Sequence, residues 1–188
     1  MKNIIFGMAM ASLLFAACNT TTKTTDKKVS DTTKSTLASS PAKKDATANL
    51  ISDYLKLKNA LVQDNDGQAA LAGRSLVVSI GKIDTLSLAA AQAKVFADIS
   101  ADAREHAEHI GANAGNISHQ REHFETLSGE IYDLLKTGNS TGKKLYYANC
   151  PMYNKGKGGN WISETKEIHN PYYGKAMQDC GSLKEELN

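Results

Sequence analysis

The chain has 188 residues, a formal net charge of +2, 41% hydrophobic and 22% charged residues, with five His, three Cys and one Trp. A charge so nearly balanced excludes the strongly basic footprint that nucleic-acid binding requires. The length suits one ordinary domain with a sizeable core once the N-terminal segment is set aside.

Residues 1–17 read as an export signal. Lys2 gives a positive start, Ile4 to Leu14 an apolar run too short to span a bilayer, and Ala16 and Ala17 the small residues before a cleavage point. With Cys18 next and a Thr/Lys/Ser-rich stretch after it, the segment resembles a bacterial lipoprotein signal, in which the Cys is lipidated and becomes the mature N-terminus. The alternative is an ordinary secretory peptide with a chance Cys. Residues 18–45 hold almost nothing that could be buried, which predicts a disordered tether. Residues 46–188 are then the folded domain, and export leaves Cys150 and Cys180 as an even pair in an oxidising compartment.

From Ala46 to Thr137 there is no Pro, and apolar residues recur at helical spacing. Leu50, Tyr54, Leu57 and Leu61 form a first stripe, broken by Asp64-Asn65-Asp66-Gly67. Leu71, Leu76, Val77, Ile80 and Ile83 form a second, ending near Asp84-Thr85. A third, with Ser87 as its expected cap, carries Leu88, Val95, Phe96, Ile99, Ala103, His106 and Ile110, and breaks at Gly111 to Asn116. Ile117, Gln120, Phe124, Leu127, Ile131, Leu134 and Leu135 make a fourth, stopping at Gly138 and Asn139. Short turns force antiparallel neighbours, so the expected fold class is all-α, an antiparallel up-and-down four-helix bundle.

His106 and His109 are three residues apart late in the third helix, and His119 and His123 four apart early in the fourth. Each pair shares a helix face, and the turn at Gly111 to Asn116 brings both to one end of the bundle. Four imidazoles there would suit a borderline or soft metal ion. The competing reading is a pair of solvated faces with His beside Glu.

After the run Ser140 to Met152 the helical pattern ends. Pro151 and Pro171 forbid a helix, Gly156, Gly158 and Gly159 supply a turn, and Trp161, Ile162, Ile168, Tyr172 and Tyr173 supply apolar mass. We expect an irregular wrap on the bundle, with a short strand at Lys144 to Ala148. Trp161 and Tyr172-Tyr173 are expected to anchor it by packing, Asn170-Pro171 to start a turn, and Arg121 to hold its carbonyls or a carboxylate such as Glu167. Each arm carries one thiol and one thioether, Cys150 with Met152 and Met177 with Cys180. With imidazole nearby, that is the ligand set preferred by soft Cu(I) or Ag(I).

The run C-P-M, a Gly-rich turn, W-I-S, E-I-H-N-P-Y-Y-G and M-Q-D-C-G, preceded by H-Q-R-E-H-F at His119 to Phe124, resembles a small helical domain of unknown function found in Gram-negative exported lipoproteins. A related domain is appended to periplasmic adaptor subunits of copper/silver-type heavy-metal efflux pumps. The resemblance spans roughly Asp45 to Leu187 and implies a helical bundle, export and heavy-metal handling, with no settled enzymatic activity. Its motif positions fall on Gln120, Arg121 and Phe124, on His123 just before that Phe, and on Cys150, Met152, Met177 and Cys180. His106, His109, His119 and His169 have no firm counterpart.

Two readings of Cys150 and Cys180 exclude each other at any moment. A disulfide would close a loop of about thirty residues, worth on the order of 3 to 4 kcal/mol in the chain-entropy model. Reduced thiols would instead join Met152, Met177 and His123 around a soft ion. No Ser/His/Asp or Cys/His arrangement has a recognisable setting, so no catalytic residue is assigned. The expected function is a lipid-anchored protein facing the periplasm, at the outer membrane, that binds copper or silver or serves an efflux adaptor. A non-metal protein-interaction module stapled by Cys150 and Cys180, or a structural envelope lipoprotein, are the rivals.

Overall fold

A computed structural model describes residues 47–138 and 142–187. The export signal, Cys18 and the tether lie outside the described residues. Four helices lead: α1 Ala48–Val62, α2 Asp66–Gly81, α3 Ala90–Ala112 and α4 Ile117–Lys136. Among the described residues no helix is long and apolar enough to cross a membrane.

The helix breaks have local causes. Asn65 caps α2 by accepting from Gln68 N–H at 2.9 Å, and Asn116 caps α4 by accepting from His119 N–H at 3.2 Å. Ser87 does not cap α3, contrary to expectation. It lies in a 3-10 turn, Thr85–Ser87, where its hydroxyl donates to the Asp84 carbonyl, and α3 starts after Ala89 with no side-chain cap. The hydroxyl is already committed to the preceding turn, two residues before the N-cap position.

Successive helices pack side by side, α1 on α2, α2 on α3 and α3 on α4. Leu50, Tyr54, Leu57, Leu61, Leu76, Ile110, Phe124, Leu127 and Ile131 are each at most 1% exposed and form the shared interior. α2 and α3 approach closely at Gly73, where a Cβ would sit only 2.8 Å from the Gly111 backbone nitrogen.

The C-terminal stretch is not an irregular wrap. It forms a three-stranded antiparallel sheet of β1 Leu145–Cys150, β2 Gly159–Ser163 and β3 Ser182–Leu187, in the order β2-β1-β3. Tyr146 pairs with Ser163 and Cys150 with Gly159 on one side; Leu145 pairs with Leu187 on the other, with a register shift between Tyr147 and Ala148. Pro151 and Pro171, read as marks of irregularity, fall in the connections and leave the strands uninterrupted. The β1–β2 connection turns through Asn154 and Lys155 at φ 50° and 57°, then Gly156 at φ 84° and Gly158 at φ 88°. The fold is therefore mostly helical with a small sheet at the C-terminus, and only its first part is the expected bundle.

β2 lies against α4 and α1. The buried Tyr54 hydroxyl is 2.7 Å from Ser128 Oγ on α4 and accepts from Ile162 N–H of β2 at 3.0 Å. Tyr54 also stacks on Phe124, Phe124 meets Tyr172, and Tyr172 meets the fully buried Trp161 edge-on. One aromatic series thus runs from α1 through α4 into the sheet.

Candidate metal centre

The turn between α3 and α4 is held by side chains of α2, α4 and the turn itself. Arg74 Nη1 donates to the Gly111 carbonyl at 2.5 Å and Asn113 Nδ2 to the His109 carbonyl at 2.8 Å, satisfying acceptors at the end of α3. Gly115 takes φ 91°, a conformation that favours glycine, and its N–H donates to the Asp66 carboxylate. Buried Gln120 Nε2 donates to the Asp66 carbonyl at 3.0 Å and the Ile110 carbonyl at 3.2 Å. α2, α3 and α4 are locked together at this end.

That locking brings the four imidazoles of α3 and α4 into contact. His109, His119 and His123 each offer a ring nitrogen, all within 4.8 Å of one another. His123 Nε2 is 3.2 Å from His119 Nε2, and His123 Nδ1 is 2.9 Å from His106 Nδ1. The His109 ring stacks on that of His123 at 4.3 Å. Glu122 Oε2 lies 3.4 Å from His119 Nδ1, and Glu105 Oε1 lies 3.8 Å from His109 Nε2. Burial first, then the neighbouring charges of His109, His119 and His106, lowers the pKa of His123 to about 4; burial also lowers that of His106. Both rings are thus neutral at physiological pH, the form in which imidazole binds metal.

Cys150 and Cys180 meet elsewhere, Sγ to Sγ at 3.1 Å, where the end of β1 approaches the segment leading into β3. Cys150 is buried and Cys180 half-buried. The contact with Cys150 first, and burial second, pushes the Cys180 thiol up, so it is protonated at neutral pH. Among the described residues no His, Asp, Glu or further Cys joins the two thiols in a ligand-spaced group of three. Met152 is 54% exposed and Met177 37% exposed, on the turns next to them. His123, grouped with the sulfur ligands by the resemblance, is in contact with histidines.

Arg121 is a structural clamp. Its Nε donates to the Pro171 carbonyl at 2.7 Å, and its Nη2 to the Leu61 carbonyl at 2.9 Å and to Asp64 Oδ1 at 2.6 Å. The carboxylate it finds is Asp64, on the α1–α2 turn at φ 55°, and not the expected Glu167. Burial alone would raise the Asp64 pKa, but the bonds from Arg121 and Lys175 N–H hold it below the usual range. Asn170 Oδ1 accepts from Tyr172 N–H at 2.8 Å, closing the turn over Pro171.

His106, His109 and His119 have no counterpart in the resemblance, yet their signal was in the spacing: i,i+3 and i,i+4 pairs flanking one short turn. Lys58 and Tyr54, which join the helices to the sheet, left no such signal.

A family model described as a protein of unknown function, DUF3347, matches residues 50–143. That span covers nearly all of the four helices, with the whole histidine cluster, and ends before β1. No curated protein and no solved structure matches the chain.

Proposed function

This chain belongs to the DUF3347 family, and from that premise we propose that it binds a transition-metal ion through the imidazoles of His109, His119 and His123. The observation that carries the reading is the convergence of three imidazole ring nitrogens within 4.8 Å at a turn held from three helices. Solvated histidine faces would spread apart to hydrate; these stack and share hydrogen bonds. Imidazole suits zinc, copper and nickel, and the absence of a carboxylate from the three-ligand group leaves the choice to geometry and supply. Chelator competition with Zn(II), Cu(II) and Cu(I) tests it: one ion per chain, lost in His119→Ala and His123→Ala, supports the proposal, and uptake unaffected by both variants sinks it.

A second reading rests on the thiol contact. Cys150 and Cys180, 3.1 Å apart, with Met152 and Met177 on the adjoining turns, would take soft Cu(I) or Ag(I) when reduced and form a structural disulfide when oxidised. Both readings agree with an exported lipoprotein anchored through Cys18 at the outer membrane, facing the periplasm and serving a heavy-metal efflux adaptor. Support for that placement comes from the signal-like residues 1–17 and from the resemblance. No catalytic role is proposed.

A further inference from the structure

We infer that His106 is not a metal ligand but the outer hydrogen-bond partner that holds His123 with its proton on Nδ1, and that the ion is a divalent one of tetrahedral preference bound by Nε2 of His119 and His123. The inference rests on the cluster being a metal site.

The two Nε2 atoms are 3.2 Å apart. With metal–nitrogen bonds of about 2.0–2.1 Å, a tetrahedral angle places two ligand nitrogens about 3.3 Å apart, whereas a linear two-coordinate ion would need about 4 Å. The observed separation fits the former without rearrangement of the helices. His109, the exposed member of the group, is stacked on His123 at 4.3 Å and would join as a third ligand by turning its ring out of that stack, leaving a fourth position open to water or to an incoming group.

The outer contacts then decide the tautomers. His123 Nδ1 and His106 Nδ1 are 2.9 Å apart, so one of them carries the shared proton. A proton on His106 would leave His123 protonated on Nε2, aimed at His119 with no lone pair for an ion. A proton on His123 frees its Nε2 and makes His106 the acceptor, with its own proton on Nε2. Glu122, 3.4 Å from His119 Nδ1, has the corresponding place for the other ligand. Ligating imidazoles have their second nitrogen held in this way, which orients the ring and raises its basicity. Here a half-buried His on α3 does for His123 what a carboxylate does for His119.

The test uses the full chain with Zn(II) against a chromogenic chelator, Co(II) absorption, and nitrogen-resolved NMR of the imidazoles. His106→Leu should weaken Zn(II) binding about 10- to 100-fold while Co(II) keeps its tetrahedral absorption. His106→Asn, whose amide oxygen can occupy the place of Nδ1, should recover most of the loss, and the Zn(II)-loaded chain should show His123 protonated on Nδ1. Unchanged affinity in His106→Leu, or a His123 metallated through Nδ1, overturns the role of His106 alone. Failure of the unaltered chain to take up either ion overturns the metal reading, and this inference with it.

Discussion

Lys58 offers a sharp test of how the sheet is joined to the helices. It lies on α1 with its side chain 1% exposed, its Nζ 2.8 Å from Glu164 Oε2, and Glu164 also accepts from Asn59 Nδ2 at 2.8 Å. Glu164 stands directly after β2, so the pair ties α1 to the sheet. Glu164→Gln leaves a buried ammonium without its counter-charge. Breaking such a pair costs about 3–5 kcal/mol when both groups are buried. Because the Glu164 side chain is 36% exposed and water reaches it, we reduce the expected loss to about 2–3 kcal/mol. Lys58→Met removes the charge and keeps the apolar stem in the core, so it should be within about 1 kcal/mol of the parent, on either side. Urea unfolding followed by the fluorescence of Trp161, the only Trp and fully buried, reads both. Burial lowers the Lys58 pKa from its ordinary 10.5, against the opposing pull of Glu164, and losing Glu164 lowers it further. The folded state then binds fewer protons than the unfolded one between the lowered pKa and 10.5, so stability rises with pH across that window. The Glu164→Gln penalty should therefore shrink toward about pH 10. Equal losses in both single variants, or a penalty indifferent to pH, would refute the buried-charge argument.

Glu130 on α4 has its pKa raised to about 7 by burial first and by Asp102 and Asp133 next. The folded state keeps a proton that the unfolded state has lost, so this contribution is full below 4.5 and vanishes as pH rises through about 7. Glu130→Gln should flatten that dependence and gain about 1–2 kcal/mol over the parent at pH 8, after allowance for solvent screening; melting at pH 5 and pH 8 checks it. Gly73→Ala would force a Cβ to within 2.8 Å of Gly111 N and should cost about 1–3 kcal/mol in urea unfolding, with the α2–α3 crossing displaced; an unchanged midpoint would show that the helices separate freely. Mild oxidation should join Cys150 to Cys180 within one chain and raise stability by about 3 kcal/mol over the reduced protein. Thiol titration alongside unfolding measures this, and intermolecular dimers in place of the internal bond would contradict the observed proximity.

Four helices, their breaks and the histidine pairs were legible in the chain because helical hydrogen bonds run from each residue to its fourth neighbour. A three-four recurrence of apolar residues therefore declares both element and buried face, and His106, His109, His119 and His123 inherit their faces from the same arithmetic. Lys58 sits four residues after Tyr54 on that buried face, but nothing nearby in sequence announces Glu164, 106 positions further on. The strand expected at Lys144 to Ala148 is β1, but its partners β2 and β3 were missed for the same physical reason. β1 is made by pairing with β2 and β3, partners supplied by other parts of the chain, and its Pro- and Gly-rich connections mask the short strands between them. Which nitrogen of His123 faces His119 and which faces His106, and that the two sulfurs touch, were settled by packing: contacts between residues remote along the chain exist only once the core has closed around Tyr54, Phe124 and Trp161.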